Sequence, residues 1–254
     1  MLWSDENMPR PDLSASSLNR LLSDAIPQRK KLEEIYSLLP LTQCLRRTRC
    51  CSFLPEMTWL EAQPILDQIV RKEAARRKGL VEKIIRYFFI NPVEIVGCPF
   101  LEERDCSIYV DRAFGCRAYG LWSPEYYRDL VDKSIEGKKA VQQAWERLGV
   151  VLPESVLNFR PPYCNQVNSE AGLADEALES SYQDIVILSQ ETSGHPFFVE
   201  ECFGDFSFFV AQWIYGPREA VQLKYQIVRD IVLKNSRERL ESALKNIADP
   251  FISW

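Results

Sequence analysis

The sequence predicts a mainly α-helical protein that is interrupted early by one irregular, cysteine-rich loop region. Two observations support this fold class. Apolar residues recur at helical spacing over several long stretches, whereas residues 91–121 replace that rhythm with glycines, prolines and cysteines. Of the 254 residues, 46% are hydrophobic and 26% are charged, which is typical of a folded soluble protein.

The N-terminal half contains two predicted helical stretches. Residues 15–38 predict one or two amphipathic helices with a break near Pro27, because proline interrupts helical hydrogen bonding. Thr58 and Glu61 form a T-x-x-E capping signature, which predicts the start of a long helical segment. We expect an interruption of that segment at Gly79.

Four further helices are predicted in the C-terminal half. Ser123 followed by Pro124 predicts a helix start, since serine caps and proline suits the first turn, and this helix should run to about Leu148. The later helical patterns cover residues 174–191, much of 196–215, and Pro217 to about residue 247.

Charge is distributed unevenly along the chain. The net charge of −5 argues against a general nucleic-acid-binding protein. Residues 41–86 hold ten Lys or Arg against five Asp or Glu, whereas residues 161–217 hold nine acidic residues and no Lys or Arg. Either these segments face each other or solvent, or they form a surface for a protein partner.

The sequence also bears on the compartment. The first seventeen residues, MLWSDENMPRPDLSASS, contain no apolar run typical of a secretory signal. The most apolar segment, residues 195–216, contains three carboxylates, which argues against a membrane span. We therefore expect a cytoplasmic protein, in which the eight cysteines are ligands, nucleophiles or core residues rather than disulfides.

Six cysteines lie in two clusters, separated by a helical segment that could fold back and bring them together. They are Cys44, Cys50, Cys51, Cys98, Cys106 and Cys116. Four thiolates can bind zinc or an iron–sulfur cluster, so we expect these six to be metal-site residues. The predicted organisation is an N-terminal helical segment (1–41), a metal-stabilised cysteine region (42–121) and a helical C-terminal region (122–254) packed with the rest as one unit.

Arginines lie within a few residues of these cysteines. They are Arg46, Arg47, Arg49, Arg112 and Arg117. Guanidinium groups can neutralise thiolate charge and donate hydrogen bonds to sulfur, so we expect them to surround the metal ligands. The alternative is that they are merely solvated.

These motifs resemble the YkgJ-type cysteine-cluster family, which is described as zinc- or iron-chelating. The family pattern is C-x2-C-x2-C-C, followed by C-P-x-L, C-x-I-Y and R-P-x-x-C-R. The matching residues are Cys44, Cys50-Cys51, Cys98-Pro99-Phe100-Leu101, Cys106-Ser107-Ile108-Tyr109, Arg112 and Cys116-Arg117. Arg47 stands in place of the second family cysteine, and Ala113 in place of the usual proline. The resemblance covers about residues 42–120 and implies a thiolate-bound metal centre.

The sequence favours an iron–sulfur cluster of the four-iron type over zinc. The cysteine-bearing loops are long and irregular, unlike compact zinc knuckles. The adjacent side chains of Cys50 and Cys51 tend to diverge, so both should not bind one metal ion. A larger cluster relaxes this limit, and the family description leaves iron open.

Several other polar residues have weaker claims to a functional role. Cys164 is either a further ligand or a buried thiol, and Cys202 is expected to pack in the core. The single histidine, His195, is expected to be structural rather than a ligand or base. The pairs Glu102-Glu103 and Glu200-Glu201 are expected to be solvated or counter-ions rather than acid/base pairs.

Two functions from different classes fit these features. One is a redox or enzyme-associated iron–sulfur protein with a protein or redox partner. The other is a zinc-stabilised, non-catalytic accessory protein. A third, protein-lysine methylation, is associated with some relatives in the resembled family. No P-loop, G-x-G-x-x-G or G-x-S-x-G motif is present, so whether the chain is an enzyme stays open.

Overall fold

The computed structural model describes residues 15–40, 42–44, 48–165, 167–169, 173–192 and 203–247. Within these ranges most residues lie in α-helices and only short strands occur. The prediction of a mainly α fold is therefore confirmed.

The elements follow each other in this order. The chain forms α1 (Ala15–Asp24), α2 (Ile26–Ser37), β1 (Thr42–Cys44), a short 3-10 turn (Arg49–Ser52), β2 (Glu56–Thr58), α3 (Trp59–Val70) and α4 (Ala74–Ile90). Next come β3 (Leu101–Glu102), β4 (Asp105–Cys106), α5 (Phe114–Arg117), α6 (Pro124–Arg147) and α7 (Glu154–Leu157). The remainder forms β5 (Val167–Ser169), α8 (Asp175–Gln190), β6 (Phe203–Asp205), α9 (Phe206–Tyr215), α10 (Pro217–Lys234) and α11 (Glu238–Lys245).

Helix starts follow the capping residues in the sequence. The Thr58 hydroxyl accepts from the Glu61 amide at 3.2 Å and the Glu61 carboxylate accepts from the Thr58 amide at 2.8 Å, which completes the predicted capping box of α3. The Ser123 hydroxyl accepts from the Tyr126 amide at 3.2 Å and caps α6. Pro27 lies in the first turn of α2, and the break falls just before it, at Ala25.

The predicted interruption at Gly79 is wrong. Helix α4 continues through Gly79, and the break falls at residues 71–73 instead. A single glycine costs a helix only about 1 kcal/mol relative to alanine, which the largely buried α4 can offset. At the actual break the Arg77 guanidinium donates to the carbonyls of Val70 and Lys72, each at 3.1 Å, and so fixes the turn.

The C-terminal helical patterns also divide differently from the prediction. Residues 196–202 lie outside the described part of the chain, and β6 precedes α9, whose first residue follows the capping Asp205. The predicted helix from Pro217 to about residue 247 is two helices, because Asn235 adopts a left-handed conformation (φ 49°) that ends α10.

Two apolar clusters form the interior of the described part of the chain. The larger one contains residues from Leu22 to Ile247 and is built mainly from α3, α4, α9, α10 and α11. The Trp59 and Phe209 rings meet edge-on there, with centroids 5.5 Å apart. The smaller cluster joins α2, α3, α5 and α8 around Leu60, which is fully buried. In the described ranges, no helix is both long and apolar enough to cross a membrane.

Three two-stranded antiparallel ladders complete the described structure. β1 pairs with β5, β2 pairs with β6, and β3 pairs with its neighbour β4. The first two ladders join the N-terminal cysteine segment to the C-terminal half of the chain. They therefore hold the irregular region against the helices.

A lysine amino group is placed against the aromatic core. The Nζ atom of Lys224 in α10 lies 4.2 Å from the centroid of the Phe88 ring. Burial lowers the pKa of Lys224 to about 8, and the Asp205 carboxylate opposes that shift. Because the pKa is lower in the folded than in the unfolded chain, the lysine destabilises the fold when it is protonated.

We expect the Lys224→Met substitution to stabilise the protein in a pH-dependent way. Below pH 8 the lysine is charged in both folded and unfolded chains, and its removal should raise the free energy of unfolding by about 1–3 kcal/mol. The advantage should shrink as the pH rises from 8 towards 10.5, where the unfolded lysine also becomes neutral. Urea denaturation of both proteins across this range measures it. Lys133→Met, at an exposed position of α6, is the control, and a gain at position 224 that does not vary with pH would contradict this account.

Candidate metal centre

The first predicted ligand is carried by β1. Cys44 is paired with Val167 of β5 in the antiparallel register, which places its backbone beside the segment that follows Cys164. The side chain of Cys44 lies outside the described part of the structure, as do Arg46, Arg47, His195, Glu200, Glu201 and Cys202.

The adjacent cysteines Cys50 and Cys51 lie in the 3-10 turn. Thr48, just before the turn, has a left-handed backbone (φ 56°), which is strained for a β-branched residue. Its carbonyl accepts from the Cys51 amide at 2.9 Å and so closes the turn. The two Sγ atoms lie 3.8 Å apart, and neither thiol is in a disulfide.

The second cysteine segment is attached directly to this turn. The Cys98 amide donates to the Cys51 carbonyl at 2.8 Å. Cys106 belongs to the β3–β4 hairpin, where it pairs with Leu101. The neighbouring Phe100 is fully buried and anchors the hairpin in the larger core.

Cys116 is carried by the short helix α5, which packs against the end of the first cysteine segment. A Cβ atom added to Gly115 would meet the Pro55 side chain at 3.1 Å, so α5 lies close to that chain. The amide of Phe114, at the start of α5, donates to Oε1 of Glu61 at 2.6 Å. The buried start of α3 therefore fixes the position of Cys116.

The thiols of these three segments lie within electrostatic range of each other. Cys51 interacts with Cys50, Cys98 and Cys106, and Cys116 interacts with Cys50, Cys98 and Cys106. We refer to these five residues as the five-thiol group. Among the described residues, no three His, Cys, Asp or Glu side chains are positioned to hold a single metal ion.

The thiols differ in their tendency to ionise. Burial raises the pKa of Cys98 to about 12 and also raises the pKa values of Cys106 and Cys116. The hydrogen bond with Cys51, together with the Arg112 charge, lowers the pKa of Cys50 to about 7 against the opposing effect of burial. The same hydrogen bond and burial raise the pKa of Cys51.

Of the five arginines predicted to surround the ligands, Arg49, Arg112 and Arg117 are described, and they have different partners. Arg112 interacts electrostatically with Cys50, Cys106 and Cys116, and its guanidinium lies 3.7 Å from the Tyr109 ring centroid. Arg117 donates to the Arg112 and Val110 carbonyls. Arg49 donates to the Tyr163 carbonyl at 2.8 Å. Arg112 is thus placed to offset thiolate charge, while Arg117 and Arg49 also tie the loops together.

Cys164 lies in an aromatic environment. It is buried, and it interacts electrostatically with Tyr119, Tyr127 and Tyr163. The Tyr119 hydroxyl donates to the Pro162 carbonyl, and Tyr119 also interacts with Cys50. Tyr119 therefore connects the environment of Cys164 with the five-thiol group.

The predicted pair Glu102 and Glu103 is exposed and lies in the β3–β4 hairpin and its turn.

Glu61 has a larger role than its capping signature indicates. Its side chain is buried and accepts four hydrogen bonds, from the Thr58 amide and hydroxyl, the Phe114 amide and the Tyr36 hydroxyl. The Tyr36 ring in turn lies 4.1 Å from the Arg117 guanidinium carbon. The sequence predicts the cap but not the contacts to Tyr36 and Phe114, because these residues are distant in the sequence. The one indication in the sequence is a carboxylate in an otherwise apolar helix start.

Comparison with known protein families, curated proteins and solved structures finds no match for this chain. The resemblance to the YkgJ-type family therefore stays a prediction.

We expect Glu61→Gln to destabilise the protein by about 2–4 kcal/mol. The amide nitrogen of glutamine cannot accept a hydrogen bond, so at least one buried donor loses its acceptor. Urea denaturation measures the loss. The control is Glu82→Gln in α4, whose side chain is 44% exposed and 4.0 Å from the Lys78 amino group; it should change stability by less than about 0.5 kcal/mol. A Glu61→Gln protein as stable as the parent would show that these hydrogen bonds are not needed.

We expect Gly120→Ala to destabilise the contact between the Gly120 turn and the β5 segment that follows Cys164. Gly120 has φ +89°, and an added Cβ would lie 2.6 Å from Cγ2 of Val167 and 3.1 Å from the Cys164 carbonyl oxygen. The cost should be roughly 2 kcal/mol or more, since a left-handed backbone strain and a contact with β5 add together. The matched control is Gly79→Ala in α4, where no atom lies within 4 Å. That change should stabilise the helix by about 0.5–1 kcal/mol. Equal stability of the two variants in thermal denaturation would contradict the proposed constraint.

Proposed function

We propose that this chain is an iron–sulfur protein that holds a cluster of the four-iron type in its cysteine region and has a redox or enzyme-associated role. The observation that carries the proposal is the five-thiol group, to which three separate segments contribute. The Cys50 and Cys51 Sγ atoms lie 3.8 Å apart, the Cys98 amide donates to the Cys51 carbonyl, and the Cys116 helix packs against Pro55. None of these cysteines is in a disulfide. Thiolates are the ligands that iron–sulfur clusters use.

The donor chemistry fits a cluster better than a single zinc ion. Zinc in a structural site takes four ligands, whereas five described thiols lie within electrostatic range here. Cys50 and Cys51 both belong to the group although they are adjacent. A cluster offers several iron atoms, each of which takes one thiolate, so neighbouring cysteines need not converge on one point.

The residues around the thiols would serve the bound cluster. Cys98, Cys106 and Cys116, with one or both of the adjacent cysteines, would supply ligands, and Arg112 would offset part of their negative charge. Positive charge and hydrogen bonds near the sulfur atoms tune the reduction potential of a cluster. The cluster itself would supply reversible electron transfer, and Glu61 would keep the Cys116 segment in place.

The test is to purify the protein anaerobically after expression with iron. We expect a brown protein with broad absorption in the blue part of the visible spectrum, with iron and sulfide in equal amounts. Cys98→Ser and Cys116→Ser should lose both colour and iron. Cys164→Ser, which changes a thiol in the aromatic environment of Tyr119, should keep them. Reversible bleaching by dithionite without loss of iron would support the redox role.

Two results would overturn the proposal. Colourless protein with one zinc per chain would favour the accessory-protein alternative, in which the metal only fixes the loops. The short elements between residues 91 and 121 suit that alternative, since they have little regular structure of their own. Serine variants that keep their full iron content would show that these cysteines are not ligands.

A further inference from the structure

A surface groove lies between α2 and α8, on the face of the smaller apolar cluster. It has a volume of about 590 Å³, and its apolar lining comes from Ile35, Leu38, Ile187 and Leu188. Leu188 belongs to the smaller cluster and Ile35 packs against it, so both supply apolar lining to the groove. Leu38 is 68% exposed and Ile187 is 54% exposed, so large apolar side chains on both sides of the groove face water. Together these two side chains offer apolar contact to a partner on either side of the groove.

The rim of this groove is acidic. Glu34, Asp184 and Glu191 supply three carboxylates, against the single amino group of Lys31. Within the described ranges, no ion pair involves any of these carboxylates. Helix α8 itself contains four acidic residues and no lysine or arginine. Among the described residues the rim therefore carries a net negative charge, which favours a positively charged occupant.

The walls of the groove also restrict the shape of the occupant. Both walls are helices, in which the backbone hydrogen bonds are made internally. An extended peptide would find no strand edge to pair with there. A helix satisfies its own backbone and can lay an apolar face between α2 and α8.

We propose that the groove between α2 and α8 binds an amphipathic helix of a partner protein, with apolar residues on one face and lysines or arginines beside them. The apolar face would contact Leu38 and Ile187, and the basic residues would pair with Glu34, Asp184 and Glu191. This inference does not depend on the metal centre. It assigns the acidic α8 to partner binding.

The probe is a fluorescein-labelled peptide of about 18 residues, which forms a helix about 27 Å long, with leucines on one face and lysines on the other. Fluorescence anisotropy with the full-length protein should show binding that weakens as salt is added. Two comparison peptides keep the same length. One replaces lysine by glutamate and the other replaces leucine by serine, and each should bind at least about tenfold more weakly.

Protein variants locate the binding site. Ile187→Asp removes apolar contact and Asp184→Lys reverses charge, and each should weaken binding of the leucine–lysine peptide at least about tenfold. Glu136→Lys, at an exposed position on α6, changes net charge equally and should leave binding unchanged. Circular dichroism checks that the variants remain folded, which their exposed positions favour.

Three outcomes would overturn the proposal. Equal binding of the leucine–lysine peptide to Ile187→Asp, Asp184→Lys and the parent would place binding elsewhere. If the peptide with serine in place of leucine bound as tightly as the leucine–lysine peptide, the interaction would depend on charge alone. If analytical ultracentrifugation finds a dimer that Ile187→Asp abolishes, the groove is occupied by a second copy of this chain instead.

Discussion

The buried carboxylate of Glu61 is the interaction on which the cysteine region depends most. The oxygen atoms of a buried carboxyl group need hydrogen-bond donors in their immediate surroundings. Here the donors come from three places: the start of α3, the Tyr36 side chain and the backbone of Phe114. The carboxylate thus links a helix of the main core, a helix of the smaller cluster and the turn that carries Cys116. The short helix α5, which has little apolar surface of its own, is thus fixed to α2 and α3 by the Glu61 side chain.

Burial imposes a second constraint, because it makes the thiols reluctant to ionise. The pKa values of Cys98, Cys106 and Cys116 are raised chiefly by burial. A thiol that binds metal must give up its proton in those surroundings. A bound cation reverses this balance, since its own charge dominates the local field. If a metal is bound as proposed, its binding would supply free energy for folding of these loops, as it does in zinc fingers, and the Arg112 charge would add to that stabilisation.

Much of the helical scaffold could be predicted from the sequence because its signals are local. The capping pair Thr58 and Glu61 and the Ser123-Pro124 start depend only on neighbours a few residues away. The three-residue strands could not be predicted, since they are too short for alternation to show. The break at residues 71–73 could not be predicted either, because it depends on a side-chain contact that the apolar pattern does not show. The Arg77 guanidinium donates to the carbonyls of Val70 and Lys72 at this break.

The β1–β5 and β2–β6 ladders constrain the order of assembly during synthesis. Cys44 pairs with Val167, and Thr58 pairs with Phe203, so each ladder joins residues more than a hundred positions apart. Closing loops of this length is slow compared with forming local helices. On the ribosome, Cys44, Cys50 and Cys51 emerge well before the strands that enclose their segment. The two ladders can therefore enclose this cysteine segment only after the nascent chain has passed β6.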